Sequence, residues 1–315
     1  MNPIGGYFEL ELRKGEEYHK NALRLNTGRN ALELILKVKR YRKVFIPYFS
    51  CEVILEPFNK LKIDYEFYSI DENLEPIFNY DQLKGNEGFL YINYFGLKDS
   101  FISTITLSSK NLIIDNSQAF YSLPRSGIST FYSCRKFFGV PDGAYLYLEG
   151  ISELDLPLDY SSKRFKHLFK RIEFGPEAGY DDYKANENSL RGQPIKIMSS
   201  LTQALLCNID YDKVVRSRKQ NFLFFHEHLK DSNELKLPEN EDFVPMVFPY
   251  LTANGKSLKQ RLMREGIFIA TYWPNVIHYT KKGSFEYYLT EQNVCLPLDQ
   301  RYGIKEMNNI IKILV

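Results

Sequence analysis

Cysteine is scarce in these 315 residues. Only Cys51, Cys134, Cys207 and Cys295 occur, far apart and with no CxxC pair. That excludes a disulfide-stapled scaffold and a zinc ribbon. The five histidines show no HxxxH or zinc spacing, so no metal site is expected. His226 and His228 lie two apart in a helical stretch and point away from each other. No run approaches the roughly 20 apolar residues of a membrane helix. Met1 to Leu12 lacks a basic segment followed by an apolar one, so no signal peptide is read there. Charge of one sign is also lacking: 41 Lys+Arg face 39 Asp+Glu, a balance of +2. That gives no reason to expect nucleic acid or an anionic membrane as partner. The basic runs Lys37 to Lys43 and Lys163 to Arg171 are interleaved with apolar residues and read as solvated helix faces. The expectation is a reduced, cytoplasmic protein.

Apolar residues are plentiful at 44%. The chain can bury a full core and fill one large domain with a smaller one beside it. Its first half alternates strand and helix patterns. Thr27 is placed to cap a helix over Arg29 to Arg40, and Ser50 one running through Phe58. Strands are expected at Val44 to Ile46, Asp64 to Ile70, Phe89 to Tyr94, Leu112 to Asp115, Ile128 to Ser133 and Ala144 to Leu148. A Pro-Asp-Gly turn precedes the last of these. This order predicts an α/β fold with a mostly parallel sheet covered by helices. Gly175 to Pro194 is polar and reads as a loop; Ile197 to Leu229 reads as a long helical stretch. Then come strand (Phe243 to Tyr250), helix (Ser257 to Glu265), strand (Gly266 to Trp273) and helix (Ile304 to Leu314). These predict a large domain over residues 1–215 and a smaller C-terminal α+β domain over 216–315.

Three short segments can carry chemistry. In Asn26-Thr27-Gly28-Arg29, a glycine at a helix start exposes backbone N–H groups to an anion, and the helix dipole adds positive potential. In Ile113-Ile114-Asp115-Asn116-Ser117-Gln118-Ala119, an acid ends a strand, where open α/β sheets collect ligands. A carboxylate there can hold a cationic ring nitrogen. In Phe131-Tyr132-Ser133-Cys134-Arg135-Lys136-Phe137-Phe138-Gly139, a lysine sits among aromatics just after a strand. Desolvation favours the neutral form of an amine, and a neutral amine can form an imine with an aldehyde cofactor.

Together and in this order, the segments resemble the DegT/DnrJ/EryC1/StrS aminotransferases, which bind pyridoxal 5′-phosphate (PLP) on a fold-type-I scaffold. The resemblance extends through Ile197-Met198-Ser199, Tyr272-Trp273-Pro274 and Leu296-Pro297-Leu298. It implies that Lys136 is the PLP-binding lysine and proton shuttle. Asp115 would hold the proton on the pyridine nitrogen. Gly28, Arg29 and Ser133 would seat the phosphate. Gln118 would hydrogen-bond near the ring or phosphate, and Ser117 would pack on one ring face. Where the family often has an aromatic on the other face, this chain has Cys51. The family's arginine in a Gly-x-Asn-x-Arg-Met-Ser pattern is missing from Gln193 to Ser199, or replaced there by Lys196. The chain is also shorter before Asn26 than a typical member, which implies that part of the usual sugar-nucleotide site is missing.

The activity implied is amino transfer from glutamate to a keto sugar, nucleotide-linked, by a homodimer serving polysaccharide synthesis. Two alternatives differ in class. A PLP-dependent sugar dehydratase of this type carries histidine in place of the lysine. A degenerate, non-catalytic member would act by partner binding.

Overall fold

The computed structural model describes residues 4–108, 111–151, 154–238 and 242–314. The first three residues of the stretch Met1 to Leu12 lie outside them.

Ten strands and eleven α-helices occur among the described residues. The strands are β1 (Leu23–Leu25), β2 (Lys43–Pro47), β3 (Asp64–Ile70), β4 (Pro76–Ile77), β5 (Glu87–Ile92), β6 (Leu112–Asp115), β7 (Ser129–Ser133), β8 (Ala144–Tyr147), β9 (Phe248–Leu251) and β10 (Asn293–Leu296). The first-half helices are α1 (Gly28–Lys39), α2 (Leu55–Leu61), α3 (Asp99–Ser108), α4 (Lys166–Phe174) and α5 (Tyr180–Ser189). Then follow α6 (Ser200–Cys207), α7 (Tyr211–Leu229), α8 (Gly255–Arg264), α9 (Val276–Tyr279), α10 (Phe285–Gln292) and α11 (Ile304–Leu314).

Eight strands form one sheet in the order β1-β8-β7-β6-β5-β2-β3-β4. The central five, β3-β2-β5-β6-β7, run parallel, and β8, β1 and β4 join antiparallel. The predicted mostly parallel sheet is therefore present. Its central strands are buried on both faces, so they read as apolar runs: Phe89, Leu90, Tyr91, Ile113 and Ile114 are all within the core. The strands β9 and β10 pair antiparallel in a separate two-stranded sheet. The expected domain boundary, between residues 215 and 216, falls inside the continuous helix α7.

Thr27 caps α1 as expected: its side chain accepts from the Asn30 backbone N–H at 3.2 Å. Four local expectations need correction. Ser50 caps no helix; its hydroxyl donates to the Pro47 carbonyl, and α2 begins five residues later. Phe243 to Tyr250 is strand only from Phe248, where pairing with Asn293–Leu296 begins. Gly266 to Trp273 is not a strand; one bridge, Ala270 to Cys295, is all that the two-stranded sheet offers it. Gly175 to Pro194 contains the helix α5. That helix escapes a hydrophobicity reading because its covered positions, Asn186, Glu187 and the following Leu190, include two polar residues.

Candidate active site

The C-terminal ends of β5, β6 and β7 and the start of α1 enclose a cavity of about 210 Å³. Gly28, Arg29, Cys51, Asp115, Ser117, Gln118, Ser133 and Lys136 all line it. Every site residue read from the sequence is thus brought to one place, from four separate segments.

Asp115 ends β6, and Lys136 closes the short 3₁₀ turn Cys134–Lys136 that follows β7. The register between these strands, Asp115 opposite Phe131, brings the two segments side by side. The Lys136 Nζ lies 5.7 Å from the centre of the Trp273 ring and 5.8 Å from that of Tyr272. Asp115 is 9% exposed, and its Oδ1 accepts from the Ser117 backbone N–H at 2.7 Å. Burial pushes its carboxyl above the ordinary value, against the opposing pull of the Ser117 hydrogen bonds and the Lys136 charge. Among the described residues no cation lies within salt-bridge distance of it. A carboxylate so placed is short of a positive partner.

Gln118 is fully buried. Its Oε1 accepts from the Phe95 N–H at 2.8 Å, while its Nε2 is buried with no hydrogen-bond partner. Phe95 holds that N–H in place from a left-handed backbone, φ 58°, which is uncommon for a phenylalanine. The motif's departures are accommodated locally. Asn116 is buried and its Oδ1 accepts from Asn93 Nδ2 at 3.2 Å. A Cβ added at Gly28 would meet only the Ser117 hydroxyl at 3.7 Å and the Phe131 ring at 3.8 Å. No protein atom therefore demands a glycine there; it leaves an open cradle at the first turn of a twelve-residue helix. The N–H groups of that turn have no intrahelical acceptor.

Arg29 reaches the cavity with its guanidinium already engaged: Nη1 donates to Glu56 Oε2 at 2.8 Å. Cys51 lines the wall, while its neighbour Phe49 is wholly buried against Trp273. Lys196 is not among the lining residues; it pairs with Asp159 at 3.2 Å.

Several lining residues escape a sequence reading. Trp273, the single tryptophan, contributes an aromatic wall from the C-terminal unit. Arg135, Tyr183, Glu187 and Leu190 close another side. Arg135 could have been noticed as a charged neighbour of the lysine. The α5 residues gave no signal, because nothing local says which face of a polar helix turns inward.

The residues present fit PLP on three observations: the desolvated Asp115 without a cation, the unpartnered Gln118 donor, and the Gly28 cradle at a helix start.

No protein-family model matches the sequence, and no curated protein does. Solved structures do match. A DegT/DnrJ/EryC1/StrS aminotransferase from Brucella abortus is 16% identical with a TM-score of 0.62, over 93% of this chain and 84% of that one. The sugar aminotransferase CalS13 from Micromonospora echinospora is 13% identical with a TM-score of 0.65, over 93% and 86%. NtdA from Bacillus subtilis, solved with the bound cofactor PMP, is 15% identical with a TM-score of 0.63, over 93% and 72%. The chain has the fold of these aminotransferases along nearly its whole length, as the sequence resemblance implied.

Proposed function

We propose that this chain is a PLP-dependent aminotransferase that carries an amino group from glutamate to a keto sugar, nucleotide-linked. The observation that carries the reading is the convergence of Lys136, Asp115 and the Gly28 turn on one cavity. The shared fold with known sugar aminotransferases supports it. Bound PLP would supply an electron sink for the substrate carbon that loses its proton.

The chain's own residues would do the rest. Lys136 would hold the cofactor through Nζ, and that same nitrogen, once released, would move the proton at the substrate carbon. Asp115 would hold a proton on the pyridine nitrogen; a cation there would stabilise the buried carboxylate. Gln118 Nε2 would find the acceptor it lacks. The first N–H groups of α1, at Gly28 and Arg29, would seat the phosphate with Ser133, while Arg29's guanidinium stays on Glu56. Ser117 and Cys51 would pack against the ring, with Trp273 closing the wall above the lysine.

A homodimer is part of the reading. The N-terminal segment and α4 carry apolar side chains in water, among them Ile4, Tyr7, Phe8, Phe169, Ile172 and Phe174. A cytoplasmic setting fits the four unpaired cysteines.

The test is spectroscopic. Purified protein with PLP should show the visible absorbance of lysine-bound cofactor, and L-glutamate should shift it to the amine form. Lys136→Ala should lose that absorbance. Cofactor binding without a shift on adding glutamate would favour the non-catalytic alternative; no cofactor binding would remove the reading.

A further inference from the structure

Arg135 adjoins Lys136 and lines the same cavity. Its side chain is only 17% exposed, and one terminal nitrogen is ion-paired with Glu187 of α5. Its Nε is buried and has no hydrogen-bond partner. A guanidinium presents two parallel N–H donors to a carboxylate along one edge, so a single contact to Glu187 leaves part of that fork unused. Burial works most strongly against the charge on Arg135, with Arg29 and Arg164 also opposing it and Tyr183 and Asp142 favouring it. The surroundings therefore favour a second negative group.

The other guanidinium that lines the cavity is committed: Arg29 is paired with Glu56. Lys136 is the amine assigned to the cofactor, and Lys196, outside the lining, is paired with Asp159. Glu187 differs from Arg135 in one useful respect: its side chain is 33% exposed. Part of the Glu187 carboxylate side chain faces water while the oxygen on Arg135 is buried, so Glu187 has a route to solvent that the more deeply buried Arg135 lacks. The helix that carries Glu187 is anchored independently, by Asn186 Nδ2 to the Pro141 carbonyl at 2.8 Å and by Lys170 to Asp182 at 2.6 Å.

We infer that Arg135 is the seat for the α-carboxylate of the amino donor, and that Glu187 is an exchangeable counter-ion that yields to it. This rests on the aminotransferase reading and deepens it. It also supplies a guanidinium for a chain without an arginine between Gln193 and Ser199. An incoming carboxylate would take both donors of the fork, and Glu187 would release its single contact.

Glutarate, an unreactive dicarboxylate, is the probe. Its binding is measured by calorimetry on PLP-loaded and PLP-free protein, alongside a separate titration of PLP. Arg135→Gln should weaken glutarate binding ten- to a hundredfold and leave PLP affinity unchanged. Arg135→Lys should recover only part of the loss, because an ammonium presents no fork. Glu187→Gln should tighten glutarate binding severalfold by removing the competitor. Unchanged glutarate binding in Arg135→Gln overturns the inference. So does a parallel fall in PLP affinity, which would assign Arg135 to the cofactor phosphate. If the unaltered protein binds no PLP, the aminotransferase reading fails by itself, and the titrations on PLP-free protein still decide the role of Arg135.

Discussion

At the scale of single residues, the cavity is defined by groups the fold leaves unsatisfied. Among the described residues, Asp115 is desolvated with no cation in salt-bridge contact, and Gln118 keeps a buried donor without an acceptor. Asp115→Asn should therefore act in two directions. With cofactor, transfer from glutamate should slow by about 10²–10³-fold, the typical loss of one preorganised electrostatic partner. Without cofactor, the variant should be more stable than its parent at neutral pH. The sign follows from linkage: burial raises the folded carboxyl above the ordinary 3.8, so folding disfavours the ionised form that the unfolded chain carries at neutral pH. The gain in melting temperature should shrink as pH falls through the raised value and vanish below 3.8. Thermal melts of the cofactor-free pair across pH check this; a gap that widens on acidification would contradict it. Asp115 and Lys136 were legible in the sequence because each stands at the end of a strand whose apolar run is unmistakable. Glu187 was not, and Trp273 was named only within a segment of the resemblance with no site role, since their positions depend on tertiary packing.

At the scale of elements, the lysine turn is tied to the C-terminal unit. Gln300 Nε2 donates to the Phe137 carbonyl at 2.8 Å, and Arg218 lies 4.5 Å over the Phe137 ring. Arg218, 1% exposed, also donates to Gln300 Oε1 at 3.0 Å and to the Pro245 and Met246 carbonyls at 3.0 and 2.9 Å. Burial holds its pKa down at about 10, so it stays charged. Arg218→Met should cost about 2–4 kcal/mol, since it strands buried acceptors and removes the cation over the ring. Urea unfolding measures this, and a loss under 1 kcal/mol would refute the account. The strand positions β3, β6 and the helices α1 and α11 could be read from periodicity to within a residue or two. The irregular segment Gly266 to Trp273 could not. Its alternating Ile267 and Ile269 mimic a strand, although only a single bridge, Ala270 to Cys295, forms along the β10 edge.

At the scale of the whole molecule, the mostly parallel sheet and its helical cover followed from alternating strand and helix patterns. The connection between the lysine turn and α7 did not, because it joins residues far apart in sequence through a buried arginine. The exposed apolar side chains of the N-terminal segment and α4 belong to this scale too. Light scattering coupled to size exclusion should give about twice the 37.0 kDa chain mass. A Phe169→Glu, Ile172→Glu variant should shift the population toward the single-chain mass. A parent that elutes as one chain at micromolar concentration would remove the homodimer from the proposal.

The pairing of Asp115 with Phe131 across β6 and β7 works as a ruler. Sliding one strand past the other by a single step would turn alternate side chains to the opposite face and part acid from amine. The reacting groups thus share their alignment with the hydrogen-bond ladder that holds the core. A chain weakened elsewhere should lose output in proportion to its unfolded fraction, while each surviving molecule works at full rate.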